Sequence, residues 1–589
     1  MKLQAIQEKM KEAGLSVLVI PSADPHQSEY VAPYWKARTF ATGFTGSAGT
    51  ALITPEEGYL WTDGRYFIQA ERQIADTGFQ LMKMGIPGYP TITEWMQAHT
   101  VEGETIGFDG RVVPFGTFVE WEEAVQGRKI DFAFSQDWID PLWGDRPALP
   151  TASIFELKTE YAGLSRVDKL SQVRTRMEKM SLSTYVISSL DDIAWLTNLR
   201  GGDVAHTPVF ASFMIIGQEQ AVLYVDENKL SKALRIQLEN DGICVRAYEA
   251  FYEDLSGLAG TIGMDPKRTS VLAKSKLSEQ ATCKEIEEIT ALLKAVKNET
   301  ELMNLRKCQI DDGAAMVRAI KRIREMVETE SSLTEQTVDQ ILIEERSKSP
   351  LFLEASFDTI AAYRSNAAMM HYRATPENDT AIEAKGFLLI DSGGQYYTGT
   401  TDITRTLAMG DLTEEEKKDY TLVLQGMIQL SMANFLKGTS GKQLDTLART
   451  PLWKEGMDYK CGTGHGVGYL LGVHEGPQNF SSYKVGADTP LIPGMILTNE
   501  PGVYKEGKHG IRTENMLVVE WEAKTGDGQF YGFETMTLCP IDTRPIIKEM
   551  MSPVELQWLN AYHQWVYETL ASSLNESERD FLAKETAGI

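Results

Sequence analysis

One stretch of the sequence places two aspartates where neighbouring strands are expected. The stretch GFLLIDSGGQYYTGTTDITRT occupies residues 386–406. Its apolar run ends at Asp391, and the following Gly-Gly pair favours a turn before a Thr- and Tyr-rich strand. Asp391 and Asp402 are therefore expected on neighbouring antiparallel strands. Burying ionised carboxylates there costs free energy unless a cation compensates. Taken alone, this stretch also fits two turn or surface residues.

A second stretch repeats the arrangement with glutamates. It reads GMILTNEPGVYKEGKHGIRTENMLVVEW and occupies residues 494–521. Glu500 precedes Pro501, so its backbone is expected to be extended. A turn-rich loop follows, and the next strand carries Glu514. Two such hairpins on either side of one segment form a pattern that a single hairpin does not.

The segment between the two carboxylate pairs is rich in glycine and holds two histidines. It reads CGTGHGVGYLLGVHEGP (461–477) and contains His465 and His474. Such a segment can be a flexible linker, a phosphate cradle or backbone pressed close to a metal and its ligand. Four carboxylates and one imidazole suit a pair of divalent first-row cations better than a thiolate-bound zinc. Two cations that share bridging carboxylates can hold a hydroxide and polarise a carbonyl.

The elements that precede these residues look duplicated. Residues 13–63 and 180–226 each read as an apolar strand, a short helix with aromatic residues and a strand pair, ending in LWTD or LYVD. A helix comes before each of these stretches, so both read as α/β units, and their repetition indicates duplication. From Asn298 the pattern changes to longer helices and hairpins. The expected domains are residues 1–155, 156–298 and 299–589, the last with a C-terminal helical extension.

Capping signals mark two helices in the last region. Asn298 with Glu301, and Thr413 with Glu416, both have the spacing of a capping box. The second of these helices is expected to end at Gly438. From residue 552 onward the pattern predicts two amphipathic helices. Among the histidines outside the glycine-rich segment, His509 is expected to be exposed.

Composition excludes several classes of protein. A chain of 589 residues is expected to form two to four domains, and 42% hydrophobic with 24% charged residues is typical of a globular protein. A net charge of -25 disfavours nucleic acid or an anionic membrane as a partner. No segment approaches roughly 18 uninterrupted apolar residues, so no transmembrane helix is expected. Five scattered cysteines and a start without signal-peptide layout favour the cytoplasm.

The candidate residues resemble a known metal site. The order Asp391, Asp402, His465, Glu500 and Glu514 resembles, position for position, the five metal ligands of the pita-bread metallopeptidases, which include methionine aminopeptidase, prolidase, creatinase and aminopeptidase P. The motifs LWTDGRYF, DDIAWLTNLRG, HYRAT, GTGHGVG, VHEGP, NEPG and GIRTEN are similar to those of the three-domain cytosolic Xaa-Pro aminopeptidases in that family. The resemblance covers the whole chain. It implies two similar N-terminal α/β domains followed by a pita-bread catalytic domain of the α+β type.

The same resemblance gives each ligand a role. It implies that Asp391 binds one metal, that His465 and Glu500 bind the other, and that Asp402 and Glu514 bridge the two. It also implies two divalent ions per subunit, with Mn²⁺ expected and Co²⁺, Zn²⁺ or Mg²⁺ tolerated by the ligand set.

Further residues are assigned by resemblance to catalysis and substrate binding. Glu500 is a candidate proton acceptor, and His371 and His474 match two catalytic imidazoles that hold substrate and stabilise the tetrahedral intermediate. Arg512 matches an arginine beside the site. Arg65 matches an arginine that approaches the site from the first domain, although a salt-bridged surface arginine is the alternative.

The implied activity is hydrolysis of the N-terminal Xaa-Pro bond of peptides by a hydroxide held between two metals. The alternatives are a prolidase that acts on Xaa-Pro dipeptides and a non-catalytic peptide-binding module on the same fold. Two α/β units before the catalytic domain favour the aminopeptidase, because prolidases and creatinase usually carry one. The expected partners are peptides with proline at the second position and a second copy of the chain in a homodimer. One departure stands out: Cys461 occupies a position where the relatives commonly have histidine.

Overall fold

The computed structural model of the protein describes residues 2–483 and 488–589. The chain forms two compact units. The amino-terminal unit comprises Met1–Lys158 and Leu164–Thr290, and the carboxy-terminal unit comprises Thr159–Gly163 and Ala291–Ile589. Among the described residues, no helix combines the length and the apolar character that crossing a bilayer requires.

The amino-terminal unit begins with a six-stranded sheet. Its strands are β1 (Val17–Pro21), β2 (Thr50–Ile53), β3 (Gly58–Thr62), β4 (Phe79–Lys83), β5 (Thr105–Gly107) and β6 (Asp131–Ala133). They lie in the order β4-β3-β2-β1-β5-β6. The central strands β1, β2 and β3 are antiparallel, whereas β4, β5 and β6 each run parallel to their inner neighbour. The accompanying helices are α1 (Lys2–Ala13), α2 (Ala37–Thr42), α3 (Phe67–Ile74), α4 (Ile92–His99) and α5 (Phe115–Ala124).

A second sheet in this unit has the same topology. Its strands are β8 (Thr184–Ile187), β10 (Ser212–Gly217), β11 (Ala221–Val225), β12 (Ile243–Arg246), β13 (Gly260–Met264) and β14 (Ala281–Glu285), and a short ladder joins β7 (Phe155–Glu156) to β9 (Leu199–Arg200). The order β12-β11-β10-β8-β13-β14 and the strand directions repeat those of the first sheet. The predicted duplication is therefore confirmed. The helices here are α7 (Arg166–Lys179), α8 (Leu190–Thr197), α9 (Lys232–Asn240), α10 (Ala250–Asp254) and α11 (Val271–Ser275).

Apolar residues from both sheets of this unit pack into one core. Trp61 and Phe108 of the first half belong to the same buried cluster as Phe213 and Phe251 of the second. His26 is also buried there. Its Nδ1 lies 2.9 Å from a backbone carbonyl oxygen of the second half, at residue 188. The two copies of the α/β unit are thus held together by apolar burial and a buried hydrogen bond.

The strands of the carboxy-terminal unit are antiparallel and form several sheets. They are β15 (Phe352–Ala355), β16 (Ile360–Tyr363), β17 (Phe387–Ser392), β18 (Gly394–Tyr396), β19 (Gly399–Thr400), β20 (Ile403–Ala408), β21 (Phe435–Leu436), β22 (Gly464–Gly466), β23 (Glu475–Phe480), β24 (Ile496–Asn499), β25 (Gly502–Lys505), β26 (His509–Arg512), β27 (Asn515–Thr525) and β28 (Gly528–Thr535). Their orders are β15-β18-β19, β16-β17-β20, β21-β28-β27-β24-β22-β23 and β25-β26.

Helices of four to 30 residues accompany these strands. They are α6 (Thr159–Ala162), α12 (Ile289–Ala295), α13 (Glu299–Glu328), α14 (Glu335–Arg346), α15 (Glu414–Ser431), α16 (Gly441–Lys454), α17 (Pro553–Leu570) and α18 (Glu576–Glu585). Buried side chains of α13, α15 and α17 share a core with residues of β17, β20 and β26. Sheets backed by helices give the expected α+β architecture.

Both predicted capping boxes are present. Asn298 and Glu301 cap the start of α13, and Thr413 and Glu416 cap α15. The predicted end of α15 at Gly438 was wrong, because the helix ends at Ser431. The chain leaves the helix early to form β21, which pairs with β28. A tertiary strand pairing therefore ends α15 before the glycine is reached.

Candidate metal centre

The aspartate pair lies at one end of a strand ladder. Asp391, in β17, pairs with Thr404 of β20, and Asp402 immediately precedes β20. The predicted antiparallel relation is confirmed. The predicted turn at Gly393-Gly394 was wrong, because β18 and β19 form a further hairpin before the chain returns. Gly393 instead allows close packing, since a Cβ there would lie 1.9 Å from the carbonyl oxygen of Thr401.

The glutamate pair is placed by the same device. Strand β24 pairs with β27, with Asn499 opposite Asn515. Glu500 directly follows the first of these strands and Glu514 directly precedes the second, so both stand at one end of the ladder. The chain between them forms the hairpin β25–β26. A backbone hydrogen bond of 3.1 Å from the N–H of Glu514 to the carbonyl of Thr404 joins the two ladders.

The structure brings the five predicted ligands together. Ligand atoms of Asp402, His465 and Glu514 all lie within 4.8 Å of one another. His465 Nε2 lies 3.3 Å from Asp402 Oδ2 and 3.4 Å from Glu500 Oε1. Arg512 connects the remaining ligand, because its guanidinium lies 2.5 Å from Asp391 and 3.9 Å from Glu500. The cluster was expected from the order of these residues in the sequence.

The electrostatics of this cluster favour a bound cation. Burial, with the neighbouring carboxylates adding to it, raises the pKa of Asp391 to about 7, although Arg512 opposes the shift. Burial and the same repulsion raise the pKa of Glu514 well above its ordinary value. Burial alone would lower the pKa of His465, but its hydrogen bond to Asp402 and the charge of Glu500 raise it to about 9. Each raised pKa shows that the surroundings stabilise added positive charge, whether a proton or a metal ion carries it.

The donor atoms fit divalent cations. Among the described residues, no group hydrogen-bonds Oδ1 of Asp391 or Oε1 of Glu514, although both oxygens are buried. Buried carboxylate oxygens are nearly always paired or bound to metal. His465 Nδ1 lies 2.9 Å from the carbonyl oxygen of Gly466, to which it donates, so Nε2 keeps its lone pair for a metal. Carboxylate oxygens with one imidazole are suited to first-row divalent ions.

Two threonines that orient these ligands were missed in the sequence. Thr404 Oγ1 donates to Glu514 Oε2 at 2.7 Å and accepts from Arg512 Nε at 3.2 Å. Thr498 Oγ1 donates to Glu500 Oε1 at 3.2 Å and accepts from the backbone N–H of His465 at 3.0 Å. The available signal was position, since each threonine lies two residues from a predicted carboxylate ligand.

The glycines around His465 serve strand packing. A Cβ on Gly464 would lie 1.9 Å from the carbonyl oxygen of Thr498 in β24, and one on Gly466 would lie 2.2 Å from the carbonyl of Glu475 in β23. Strand β22 is therefore enclosed by its two neighbours. Part of the glycine-rich segment is therefore a strand rather than a linker, and the glycines at 464 and 466 let this strand pass between its neighbours.

His474 and Arg512 lie beside the cluster on different sides. The His474 ring is exposed and meets the His465 ring edge-on, with 4.2 Å between centroids. Arg512 is 3% exposed and also donates to Tyr504 Oη at 2.6 Å. It holds Asp391 from the buried side, whereas His474 lies at the open side of the cluster.

His371 and Arg65 are the other two predicted residues. His371 is half-buried in the segment after β16, the strand that pairs with β17. Arg65 belongs to the amino-terminal unit, where its guanidinium forms a two-pronged pair with Asp63 at 2.8 Å. Their roles in substrate binding stay predictions.

His509 is buried against α15. His509 is 2% exposed, so the prediction that it is exposed was wrong. Its Nε2 lies 2.7 Å from Asp419 Oδ2, because hairpin β25–β26 packs on α15.

Burial, with the charge of Glu500 adding to it, raises the pKa of the Cys461 thiol to about 12, which favours the protonated thiol.

Family models match nearly the whole chain. Residues 2–140 and 145–301 each match the creatinase/prolidase N-terminal domain, residues 303–520 match metallopeptidase family M24, and residues 529–589 match the C-terminal region of that family. The domain limits expected from the sequence stay a proposal.

Several similar proteins are known. A probable Xaa-Pro aminopeptidase P of Sordaria macrospora is 38% identical over 100% of this chain and 98% of its own length. One of Aspergillus oryzae is 39% identical over 100% of this chain and 92% of its own length. The crystal structure of an X-prolyl aminopeptidase from Caenorhabditis elegans, described as a cytosolic enzyme with a di-nuclear active site, is 30% identical with a TM-score of 0.94 and full coverage of both chains.

More distant structures share only part of the architecture. An Xaa-Pro dipeptidase from Bacillus anthracis is 22% identical with a TM-score of 0.51, and it covers 64% of this chain and 99% of its own. That likeness concerns the fold alone. Full-length identity above 30%, the M24 match and the five clustered side chains together lead to one conclusion: the chain belongs to the Xaa-Pro aminopeptidase P family of M24 metallopeptidases.

Proposed function

We propose that the protein is a metallo-aminopeptidase that hydrolyses the N-terminal Xaa-Pro bond of peptides. The observation that carries the proposal is a cluster of five side chains: the carboxylates at the ends of two strand ladders, with the imidazole of strand β22. They are Asp391, Asp402, Glu500 and Glu514, together with His465. The relatives that match this chain along its whole length are named for that activity.

The five clustered residues would hold two divalent cations. Asp391 would bind one ion, His465 and Glu500 the other, and Asp402 and Glu514 would bridge them. Such ions supply Lewis acidity toward a peptide carbonyl and activate water near neutral pH. Mn²⁺ is the ion we propose for both positions, since the site offers oxygen atoms and a single imidazole.

The protein's own groups divide into a buried set and an open set. Asp391, Asp402 and Glu514 are buried, whereas Glu500 and His465 are half-buried. Burial, together with the charge of Asp402, raises the pKa of Glu500 even though His465 and Arg512 oppose the shift. A carboxylate with a raised pKa at the open side is suited to accept a proton from water and to return it to the leaving amine.

Histidines at the open side would position the substrate. His474 lies beside His465 and is exposed, so it can donate a hydrogen bond to the carbonyl oxygen of the bond that breaks. We assign His371 the same kind of role on the substrate and keep Arg65 as a substrate contact. Arg512 stabilises Asp391 directly, and its positive charge also lies near Glu500.

A site of this kind suits an Xaa-Pro bond. Proline has no backbone N–H and its ring fixes φ, so a peptidase that depends on that N–H rejects it. Polarisation of the carbonyl does not require the missing donor. We further propose that the protein is a homodimer located in the cytoplasm, in keeping with its five free cysteines.

Hydrolysis of matched peptides tests the proposed function. Purified protein is treated with a chelator, reloaded with Mn²⁺ and given Xaa-Pro-Yaa and Xaa-Pro with the same first residue. We expect release of the first residue from the tripeptide, at least about 10-fold slower cleavage of the dipeptide and loss of activity without metal.

Asp402→Ala is the variant for this assay, and Asp411→Ala is its control, because Asp411 is exposed and lies in an isolated β-bridge outside the cluster. The first should lower kcat/KM by at least about 10³-fold because a bridging ligand is lost. Faster cleavage of the dipeptide would identify a prolidase instead. Absence of bound divalent metal after reloading would contradict the enzyme assignment and favour a peptide-binding module.

A further inference from the structure

The carboxylate of Glu335 is buried without a cationic partner. Glu335 is the first residue of α14 and is 0% exposed. Within the described part of the chain, none of the groups that hydrogen-bond it is a cation. The site described above does not use this residue. A buried carboxylate of this kind needs other compensation, and the N-terminal end of a helix supplies part of it.

The rest of the compensation comes from one segment of chain. Oε1 accepts from the backbone N–H of Tyr363 at 2.7 Å and from Asn366 Nδ2 at 2.9 Å. Oε2 accepts from Tyr372 Oη at 2.7 Å and from the backbone N–H of Thr380 at 3.2 Å. All four donors belong to residues 363–380, which we call the His371 loop. One side chain thus binds the start, the middle and the end of that loop.

The His371 loop is also packed near the metal centre. It begins where β16 ends, and in β16 Ile360 pairs with Asp391. Ala367 and Tyr372 belong to a buried apolar cluster with Leu389 of β17. Its Ala367 carbonyl lies against Gly510 of hairpin β25–β26, where a Cβ would come within 1.8 Å. The loop is therefore confined by the strands that carry the candidate ligands.

Tyr372, which donates to Glu335, directly follows His371 in the chain. A bond that fixes Tyr372 also restricts the backbone of His371. We propose that Glu335 is a positioning residue for the peptidase reaction, holding the His371 loop so that the His371 ring meets the substrate. This inference rests on the proposed function, in which His371 contacts the peptide.

Only a carboxylate satisfies this arrangement. Both oxygens accept hydrogen bonds, so the side chain must present acceptors on each side. A glutamine has the same shape but offers one acceptor and one N–H₂ group, which would face donors of the loop. Glu335→Gln therefore releases part of the loop with minimal change in volume.

The first experiment compares Glu335→Gln with Glu344→Gln. Glu344 lies on the same helix, is exposed and pairs with Arg322 at the surface. With an Xaa-Pro-Yaa peptide and Mn²⁺, we expect Glu335→Gln to lower kcat about 10- to 100-fold with a smaller change in KM, because a misplaced group mainly weakens transition-state contacts. Bound Mn²⁺ should stay at the wild-type ratio, and Glu344→Gln should behave like wild type.

A double variant separates positioning from general damage. If Glu335 acts through His371, then adding Glu335→Gln to His371→Ala should change kcat/KM by less than about twofold. Losses that multiply in the double variant would overturn the proposal, as would wild-type kcat in Glu335→Gln. Tyr372→Phe removes one donor and keeps the carboxylate, so it serves where Glu335→Gln does not fold. It should lower kcat about 3-fold in the same direction.

Limited trypsin digestion measures how easily the His371 loop opens, independently of activity. Arg373 lies in the His371 loop with its side chain 66% exposed. Glu335→Gln should speed cleavage after Arg373 about 10-fold, with other sites unchanged, because local opening becomes easier. If the wild type did not cleave Xaa-Pro-Yaa, the proposed function would fail while this rate still tested the anchoring. An unchanged rate at Arg373 would overturn the anchoring whatever the activity.

Discussion

At the scale of single residues, the metal centre is a cluster of negative charge with one arginine to offset it. Arg512 contacts Asp391, whereas Oε1 of Glu514 is buried with no hydrogen-bond donor among the described residues. Without a cation, the carboxylates raise one another's pKa. Keeping these groups buried together therefore costs folding free energy, and metal binding offsets that cost.

Because the buried carboxylates cost stability without metal and bind the metal when it is present, Glu514→Gln should stabilise the metal-free protein and weaken metal binding. In metal-free protein at pH 8, the variant should be more stable by roughly 1–3 kcal/mol, because a buried carboxylate is replaced by a neutral amide. Its affinity for Mn²⁺ should fall at least about 100-fold, since a ligand is lost. Thermal unfolding with chelator and with Mn²⁺ measures both changes.

Glu522→Gln is the matched control, because Glu522 is exposed on β27, the strand that Glu514 precedes. Both measurements should match wild type in that variant. A Glu514→Gln protein that kept the full Mn²⁺-induced rise in unfolding temperature would remove Glu514 from the ligand set.

The clustered residues could be predicted because their types are unusual together, whereas the residues that hold them by hydrogen bonds could not. The five proposed ligands were chosen from their order and from resemblance, and the structure brings them together. Thr404 and Thr498 are ordinary residues in a strand sequence, and only the fold shows that they hold Glu514 and Glu500. Glu335 was missed for the same reason, since a glutamate after a capping threonine reads as a solvent-exposed helix start.

At the scale of elements, hairpin β25–β26 is tied to α15 by a buried charge cluster. Asp419 on α15 is 1% exposed and lies 2.7 Å from His509 and 2.6 Å from Lys505 of the hairpin. The hairpin also carries Arg512 at its end. Its position against α15 therefore sets the position of a residue that contacts Asp391.

Asp419→Ala should destabilise the protein by about 2–3 kcal/mol, because His509 and Lys505 lose a buried partner. Glu415→Ala is the control, since Glu415 pairs with the same Lys505 at the surface and should have a small effect. Urea unfolding midpoints of both variants provide the measurement. Equal midpoints would contradict the view that burial gives the Asp419 contact its strength.

Elements with a local signal were predictable, and those decided by tertiary pairing were not. The capping boxes at Asn298 and Thr413 depend on residues three positions apart, so sequence shows them. The early end of α15 depends on β21 pairing with a strand about 95 residues later. The β18–β19 hairpin was hidden because Gly393-Gly394 also reads as a simple turn.

At the scale of the whole molecule, the amino-terminal duplication shows how much of the architecture a weak sequence repeat can predict. Two stretches with shared endings predicted two similar α/β units, and the two sheets have the same strand order and directions. The order itself was not predictable, because strands far apart in sequence become neighbours only through packing. The pairing of parallel edge strands carries no local sequence signal.

Stability of the carboxy-terminal unit should depend on pH through one buried histidine on α17. His563 is 0% exposed and its Nε2 accepts from the backbone N–H of Ile541 at 3.1 Å. Burial, with the charge of Arg405 adding to it, lowers the pKa of His563 from 6.5 to about 4. The unfolded chain therefore takes up a proton at a higher pH than the folded chain. As a result, the contribution of His563 to stability is full above pH 6.5 and falls as the pH drops toward 4.

His563→Gln isolates this effect, because the amide oxygen can accept the same bond from Ile541 and does not titrate. Other buried groups, such as Asp542, whose pKa burial raises to about 6, shift stability in the opposite direction, but they do so equally in both proteins. The wild type should lose about 2 kcal/mol relative to the variant between pH 7.5 and pH 5. Urea midpoints at both values measure the difference, and between pH 7.5 and pH 9 it should stay constant. A constant difference down to pH 5 would mean that His563 titrates alike in the folded and unfolded chain.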